Sequence, residues 1–196
     1  ENRLPLSALD AVEKARGKGH LVYLVTGRSK AELYGDILAL EYDGFIGGNG
    51  SYIEVGQQVI KEETLSVMQT KEIVDWLHER GLAFYLEANS GLYGSDNFES
   101  RGQSTIQEYA KGKGQNVSTV REVFPELLVG VDLYRSDINK ISFILDCYQD
   151  FLDACERFPD LKPGTWGGVG ESALFGDLTR NNINKGSAVR QLLAHL

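Results

Sequence analysis

Cysteine is scarce in this sequence, which contains two such residues, Cys147 and Cys155, among its 196. They lie about two helical turns apart in a segment predicted to be helical, which is too far for a disulfide bond. The sequence also lacks the C-x-x-C spacing of common metal sites. We therefore expect ordinary thiols in a reducing compartment, and hence a cytoplasmic protein.

The sequence also has few positively charged residues relative to negatively charged ones, and no long apolar run. Lysine and arginine number 20 against 28 aspartates and glutamates, which gives a formal net charge of -8. Neither nucleic acid nor an anionic membrane attracts such a chain, so neither is expected as a partner. No apolar run approaches the ~20 residues of a membrane span. A small anionic substrate is not excluded, because it needs only a local positive site, and the oligomeric state is left open.

The sequence does contain an ordinary globular composition, 42% hydrophobic and 24% charged, with alternating helix and strand patterns at its start. Ser7 is expected to cap a first helix. Residues 20–25 are typical of a buried parallel strand. Ser29 and Glu32 form a capping box that predicts a helix through about residue 40, and residues 43–47 form the next strand. Strand, helix and strand at this spacing predict a βαβ unit.

Residues 51–182 follow a different pattern, in which a hairpin, helices and strands are mixed. Ser66 and Gln69, for example, predict a capped helix within this stretch. A further helix follows it at the end of the chain. The sequence therefore predicts an α/β layer made of residues 1–50 and 183–196, interrupted by an inserted α+β domain at 51–182.

The sharpest local feature is Thr26-Gly27-Arg28, which follows the first predicted strand and precedes the capped segment at Ser29. In open parallel sheets, ligands bind beyond the carboxyl ends of the strands. A hydroxyl group, nearby backbone amides and a helix N-terminus are suited to phosphate oxygens, and Gly27 lets the backbone come close. The alternative interpretation is an ordinary strand-to-helix turn.

Two weaker features have similar positions. Asn49 and Gly50, within Gly-Gly-Asn-Gly, follow the second strand and suit a tight turn at the same sheet edge. Lys185 opens the final helix, where its charge opposes the helix dipole unless an anion binds between them. The alternatives are a simple turn into the hairpin and a solvated surface lysine.

Together, these three features resemble the haloacid dehalogenase (HAD) superfamily of phosphatases, and more narrowly its Cof-type subgroup with a C2-type cap. The resemblance rests on the order TGR, GGNGS, long insert and NKG, and it covers nearly the whole chain. It implies a Rossmann-like core, partial in this chain, and a cap domain at residues 51–182 that governs substrate specificity.

The resemblance also implies a mechanism. In this family a nucleophilic aspartate forms an aspartyl-phosphate, a second aspartate acts as general acid and base, and a late acidic motif holds Mg²⁺. Thr26 matches the residue that binds the phosphoryl oxygens, and Lys185 matches the lysine that neutralises nucleophile and phosphate. These two are the predicted catalytic residues. The predicted substrate-binding residues are Gly27, Arg28, Asn49 and Gly50. The implied substrate is a small phosphorylated metabolite, such as a sugar phosphate, nucleotide or cofactor phosphate.

The sequence departs from the family in two places. It contains no D-x-D-G-T motif before the first helix and no G-D-x-x-N-D motif after Lys185. Asp177 precedes Lys185 and so is not the late motif, and Asp10 lies in a predicted helix and is rejected as nucleophile. We therefore interpret the chain as a trimmed or partial form, expect its Mg²⁺ ligands in segments missing from it, and predict no turnover by the chain alone.

Two other functions stay open at this stage: a non-catalytic module that binds a phosphate ligand, and a phosphomutase of the same fold. The two missing motifs, sought in the reading frame on either side of the chain, would distinguish an enzyme from a binding module. Glu87, Asn89 and Tyr93 are candidates for substrate contacts from the cap, although surface or packing roles are favoured for them.

Overall fold

The computed structural model describes residues 5–33, 35–37 and 40–196. The chain divides into two compact units, unit 1 from residues 1–63 and 183–196 and unit 2 from residues 64–182. Each unit combines helices with its own β-sheet, which confirms the predicted α/β class with a large α+β insert. In the part of the chain that is described, no helix has both the length and the apolar character needed to span a membrane.

Unit 1 is a four-stranded sheet with helices. Its elements are α1 (Leu6–Gly17), β1 (Tyr23–Val25), β2 (Gly44–Gly47), β3 (Tyr52–Val55), β4 (Gln58–Glu62) and α6 (Lys185–His195). The strand order is β1-β2-β3-β4, with β1 parallel to β2 and the other two pairs antiparallel. Ile46 of β2 and Ile53 of β3 pack against Ala188 and Leu192 of α6, so the final helix is held on this sheet.

The β3–β4 hairpin belongs to unit 1, whereas the sequence analysis assigned it to the insert that begins at residue 51. The reason is backbone pairing across the turn, because β3 continues the sheet antiparallel to β2, with Phe45 opposite Glu54. The insert seen in the structure is therefore residues 64–182.

Two predictions about helix starts are wrong. Ser7 lies inside α1, which has Pro5 at its N-cap and no side-chain cap hydrogen bond. The Ser29–Glu32 capping box does form, and the Ser29 amide donates to Glu32 Oε2 at 2.7 Å. However, it opens a 3₁₀ turn at Lys30–Glu32 in place of the expected helix, and a second 3₁₀ turn begins at Gly35, whose φ is 64°. Residues 34, 38 and 39 of that expected helix lie outside the described residues.

Unit 2 is a six-stranded sheet with helices on both faces. Its elements are α2 (Val67–Glu79), β5 (Phe84–Ala88), β6 (Leu92–Gly94), α3 (Phe98–Gly112), α4 (Val120–Val123), β7 (Leu127–Val129), β8 (Ile138–Ile144), α5 (Tyr148–Arg157), β9 (Leu161–Trp166) and β10 (Phe175–Arg180). The strand order is β7-β6-β5-β8-β10-β9. The β6–β7 pair is parallel and the other pairs are antiparallel.

One face of this sheet carries the main core. Residues of α2 and α5 pack with sheet residues in a single buried cluster that includes Ile73, Phe84, Phe143 and Ala154. On the other face, the ring of Phe98 in α3 lies 5.3 Å from that of Tyr85, measured between centroids. The sheet is therefore covered on both sides, which is what an independent core requires.

Both tryptophans of the chain, Trp76 and Trp166, lie in unit 2. The ring of Trp76 packs edge-on against Phe158 at 5.5 Å between centroids. The ring of Trp166 stacks on Phe175 at 3.7 Å, with an interplanar angle of 6°.

Candidate functional site

Thr26 follows the last residue of β1 and extends its pairing with β2. The Thr26 amide donates to the Ile46 carbonyl at 2.9 Å. Two residues later, the Arg28 amide donates to Thr26 Oγ1 at 3.2 Å, so the threonine hydroxyl oxygen shapes the turn. This bond uses a lone pair of the hydroxyl and leaves its hydrogen to donate elsewhere.

The turn after β2 contacts the Thr26-Gly27-Arg28 turn at two points. The Gly48 amide donates to the Arg28 carbonyl at 2.8 Å. Asn49, whose φ is 58°, places its side-chain oxygen against Gly27. A β-carbon on Gly27 would stand 2.8 Å from Asn49 Oδ1, so this position needs glycine for space.

The same turn contacts the start of α6. Asn184 caps this helix, because its Oδ1 accepts from the Ser187 amide at 2.8 Å. Gly50 has a φ of 106°, and a β-carbon on it would be 2.6 Å from the Asn184 carbonyl oxygen. Lys185 is exposed and is the first residue of α6, directly after that cap.

The structure thus brings the three predicted motifs into one contiguous set of backbone segments. The turn at Asn49 and Gly50 touches Gly27 and Arg28 on one side and Asn184, beside Lys185, on the other. Arg28 takes part through its backbone amide and carbonyl. The convergence of the Thr26 hydroxyl and the Lys185 ammonium group within ~10 Å, the most that one phosphate could bridge, stays a prediction.

A hydrogen-bonded group that the sequence analysis missed connects the first turn to β3. Lys30 Nζ lies 2.6 Å from Glu54 Oε2, and the Tyr52 hydroxyl donates to the same oxygen at 2.5 Å. Burial raises the pKa of the Glu54 carboxyl, but the bonds from Lys30 and Tyr52 outweigh it and leave this pKa lowered. Burial and the Glu54 contact raise the pKa of Tyr52. Tyr52 and Glu54 are two residues apart on a strand and so share a face. This spacing is the feature of the sequence that could have indicated their contact.

Lys61 of β4 also contacts the turn at Asn49 and Gly50. Its ammonium group donates to the Gly50 carbonyl at 3.4 Å and lies 3.3 Å from Glu63 Oε1. The alternation of the hairpin does not reveal this contact, because it depends on how β4 lies beside the turn.

The resemblance implies a Mg²⁺ site, which needs oxygen ligands such as carboxylates close together. Among residues 5–33, 35–37 and 40–196, no group of three or more histidine, cysteine, aspartate or glutamate residues is arranged to hold a metal ion. Asp10, rejected as nucleophile from the sequence, lies in α1 and pairs with Lys14 at 2.6 Å. The described residues therefore do not fit the implied Mg²⁺ site.

The three candidates in the insert occupy different environments. Glu87 is buried in β5, and the Ser142 hydroxyl donates to its Oε1 at 2.7 Å. The Tyr93 ring belongs to the main core of unit 2 and has the Arg135 guanidinium 4.0 Å from its centroid. Asn89 is half-buried directly after β5.

Comparison with known proteins gives one family and a set of similar folds. A family profile described as haloacid dehalogenase-like hydrolase matches residues 1–196. No curated protein sequence matches the chain at a significant level.

Three solved structures illustrate the similarity of fold. A haloacid dehalogenase-like hydrolase from B. subtilis superposes with a TM-score of 0.73 at 15% identity, over 98% of this chain and 73% of that one. The HAD subclass IIB sugar phosphatase BT4131 gives 0.71 at 18% identity, over 98% and 69%. The HAD phosphatase BT1666 from Bacteroides thetaiotaomicron gives 0.69 at 20% identity, over 98% and 66%.

Proposed function

The chain belongs to the haloacid dehalogenase-like hydrolase family. We therefore propose that it forms part of a phosphatase that hydrolyses a small phosphorylated metabolite. The substrate class covers sugar phosphates, nucleotides and cofactor phosphates. One observation carries this proposal: the turn at Asn49 and Gly50 contacts both the Thr26-Gly27-Arg28 turn and the start of α6. Residues far apart in the sequence thereby meet at the carboxyl ends of parallel strands, where ligands bind in sheets of this kind.

In this proposal, Thr26 and Lys185 hold the phosphoryl group. The Thr26 hydroxyl donates to one phosphoryl oxygen, and the backbone at Gly27 and Arg28 comes close to the others. Lys185 supplies positive charge at the start of α6, where the helix dipole also favours an anion. Phosphoryl transfer depends mainly on such positioning and charge neutralisation.

The aspartyl-phosphate intermediate and the Mg²⁺ dependence implied by the resemblance are part of the proposal, but no described residue is assigned to either. Residues 1–196 supply binding and orientation, and we expect them to bind phosphate without turning over an ester. We further propose that unit 2 is the cap that selects the substrate and that the protein is cytoplasmic, in line with its free thiols.

Phosphate binding tests this proposal directly. We expect inorganic phosphate, titrated into the ¹⁵N-labelled chain, to shift the amide signals of residues 26–28 and 186–187. Thr26→Val keeps the shape of the side chain but removes the hydroxyl, and should weaken binding. Lys18→Ala, at the exposed C-cap of α1, should not. Shifts scattered over the surface, or equal affinity for the Thr26 variant, would contradict the proposed site.

Turnover separates an enzyme from a binding module. The protein expressed from its complete reading frame should hydrolyse p-nitrophenyl phosphate in the presence of Mg²⁺. Phosphate binding at residues 26–28 with no hydrolysis by that protein would support the binding module.

A further inference from the structure

Three ionisable side chains meet on one face of the sheet in unit 2. Glu87 of β5 lies opposite Lys140 of β8, and Asp177 of β10 lies opposite Ser142, two residues further along β8. Alternate residues of a strand share a face, so this register brings the three charged groups together. Lys140 Nζ is 3.0 Å from Glu87 Oε1 and 4.0 Å from Asp177 Oδ2.

The two carboxylates are not equivalent. Glu87, whose side chain is 1% exposed, accepts from the Ser142 hydroxyl at 2.7 Å and has Lys140 at 3.0 Å. Both donors reach Oε1. The distance of 4.0 Å from Lys140 to Asp177 exceeds the ~2.7–3.2 Å of a hydrogen bond. Glu87 therefore holds the larger share of the Lys140 charge.

The position of the Asp177 carboxylate is set by a neighbouring glycine. A β-carbon on Gly164 of β9 would stand 2.6 Å from Asp177 Oδ1. The Asp177 carboxylate therefore occupies the space that the side chain of any other residue at position 164 would need. Its side chain is 15% exposed. Packed this way, the carboxylate has little contact with water, and desolvation disfavours its charged form.

The charged groups that act on Asp177 come from β8 and β9, which pair with β10, and from β5 on the far side of β8. Burial is the largest influence and raises the pKa of Asp177. Lys140 of β8 lowers this pKa, Glu87 of β5 raises it, Lys162 of β9 lowers it, and the net direction is upward. Lys140 is within hydrogen-bonding distance of Glu87 but not of Asp177, so Asp177 is the carboxylate that more readily retains a proton.

We propose that Glu87, Lys140 and Asp177 form a proton-gated switch in unit 2. While Asp177 is protonated, Lys140 pairs with Glu87 alone. Once Asp177 has ionised, the two carboxylates share the Lys140 ammonium group. The charge of these three groups changes from zero to minus one when the proton leaves. The switch does not rest on the proposed phosphatase function, because it is argued only from contacts among residues of unit 2.

A ¹³C NMR titration of the carboxyl groups tests the switch in the intact chain, with Asp177→Asn used to assign the Asp177 signal. We expect Asp177 to titrate with a midpoint above the ordinary value of 3.8. The Lys140 side-chain ¹⁵N signal should shift at the same midpoint, and this step should vanish in Asp177→Asn. An Asp177 midpoint at or below the ordinary value, or a Lys140 signal that does not follow it, would overturn the proposal.

Two further variants predict shifts of opposite sign. Glu87→Gln keeps the side-chain shape and removes the charge that favours protonation, so the Asp177 midpoint should fall. Lys140→Met removes the cation, so the midpoint should rise. Because Lys140→Met leaves Glu87 without its cation and can impair folding, Glu87→Gln is the deciding variant. An unchanged Asp177 midpoint in Glu87→Gln contradicts the switch.

Discussion

Gly50 and Asn184 are in backbone contact although they are far apart in the sequence. A β-carbon on Gly50 would lie 2.6 Å from the carbonyl oxygen of Asn184 and 3.0 Å from the β-carbon of Ala188. The partner atom nearest to it belongs to the main chain of a helix cap, which cannot rotate away as a flexible side chain can. The start of α6 is therefore tied to the turn after β2.

Gly50→Ala should destabilise unit 1 far more than Gly56→Ala. Both glycines have positive φ, 106° and 57°, so both variants carry the cost of a strained backbone. Gly56 has open space where a β-carbon would stand, whereas Gly50 would clash with Asn184. Gly56→Ala should cost about 1 kcal/mol, and Gly50→Ala several times as much. The measurement is urea unfolding followed by circular dichroism, and equal losses would contradict the contact.

Lys185→Ala should reduce kcat/KM of the protein expressed from its complete reading frame by at least about tenfold. A charge-assisted contact contributes about 1.5–3 kcal/mol, and each 1.36 kcal/mol corresponds to about a factor of ten in rate. Hydrolysis of p-nitrophenyl phosphate is the assay. Lys18→Ala, which removes an exposed cation at the C-cap of α1, is the control and should have almost no effect. If both variants behave alike, Lys185 is a solvated surface lysine.

Asp150 should make unit 2 sensitive to acid. It accepts from the Cys147 amide at 3.0 Å and the Asp146 amide at 3.1 Å, and pairs with Arg80 at 2.8 Å. Burial raises the pKa of Asp150, but the Arg80 bond and these amides outweigh it and leave the pKa lowered. A lowered pKa stabilises the fold above the ordinary aspartate value of 3.8, and this contribution is lost as the pH falls through the lowered value.

Asp150→Asn should therefore cost about 1–3 kcal/mol at pH 7, and the loss should shrink below about pH 4. Urea unfolding at a series of pH values provides the measurement. Asp153→Asn is the matched control, because Asp153 shares Arg80 at 2.8 Å but is more exposed, at 30% against 8%. A loss from Asp150→Asn that is independent of pH would show that its charge is not the cause.

Residues 64–182 should fold without the rest of the chain. This segment contains the main buried cluster and all strands of the six-stranded sheet. Its amide NMR spectrum should be well dispersed. Compared with residues 64–182, a fragment of residues 51–182 should give only additional signals of disordered chain, because β3 lacks its partner β2 in this fragment. A collapsed spectrum from the shorter fragment would contradict the division.

Local chemistry made several elements predictable. The Ser66–Gln69 capping box forms in both directions, at 3.0 and 3.2 Å, at the start of α2. The hairpin predicted after residue 51 also forms, and Val55 pairs with Gln58 across a turn that contains Gly56. Both signals involve residues close together in the sequence.

The wrong predictions concern features that depend on contacts between residues far apart in the sequence. The Ser29–Glu32 box gave the correct hydrogen bonds but the wrong length of helix, because a cap specifies a start and not an extent. The placement of β3 beside β2 depends on the fold of unit 1. In the candidate site, the contacts of Asn49 with Gly27 and of Gly50 with Asn184 are visible only in three dimensions.

The location of Trp76 and Trp166 separates the two units optically. Because both indoles lie in unit 2, emission excited at wavelengths that only tryptophan absorbs reports on that unit alone. Unit 1 contributes tyrosines, such as Tyr23 and Tyr52, and a share of the far-ultraviolet ellipticity. A substitution that melts unit 1 selectively should change the ellipticity while leaving the indole emission spectrum in place, so one sample yields two independent melting curves.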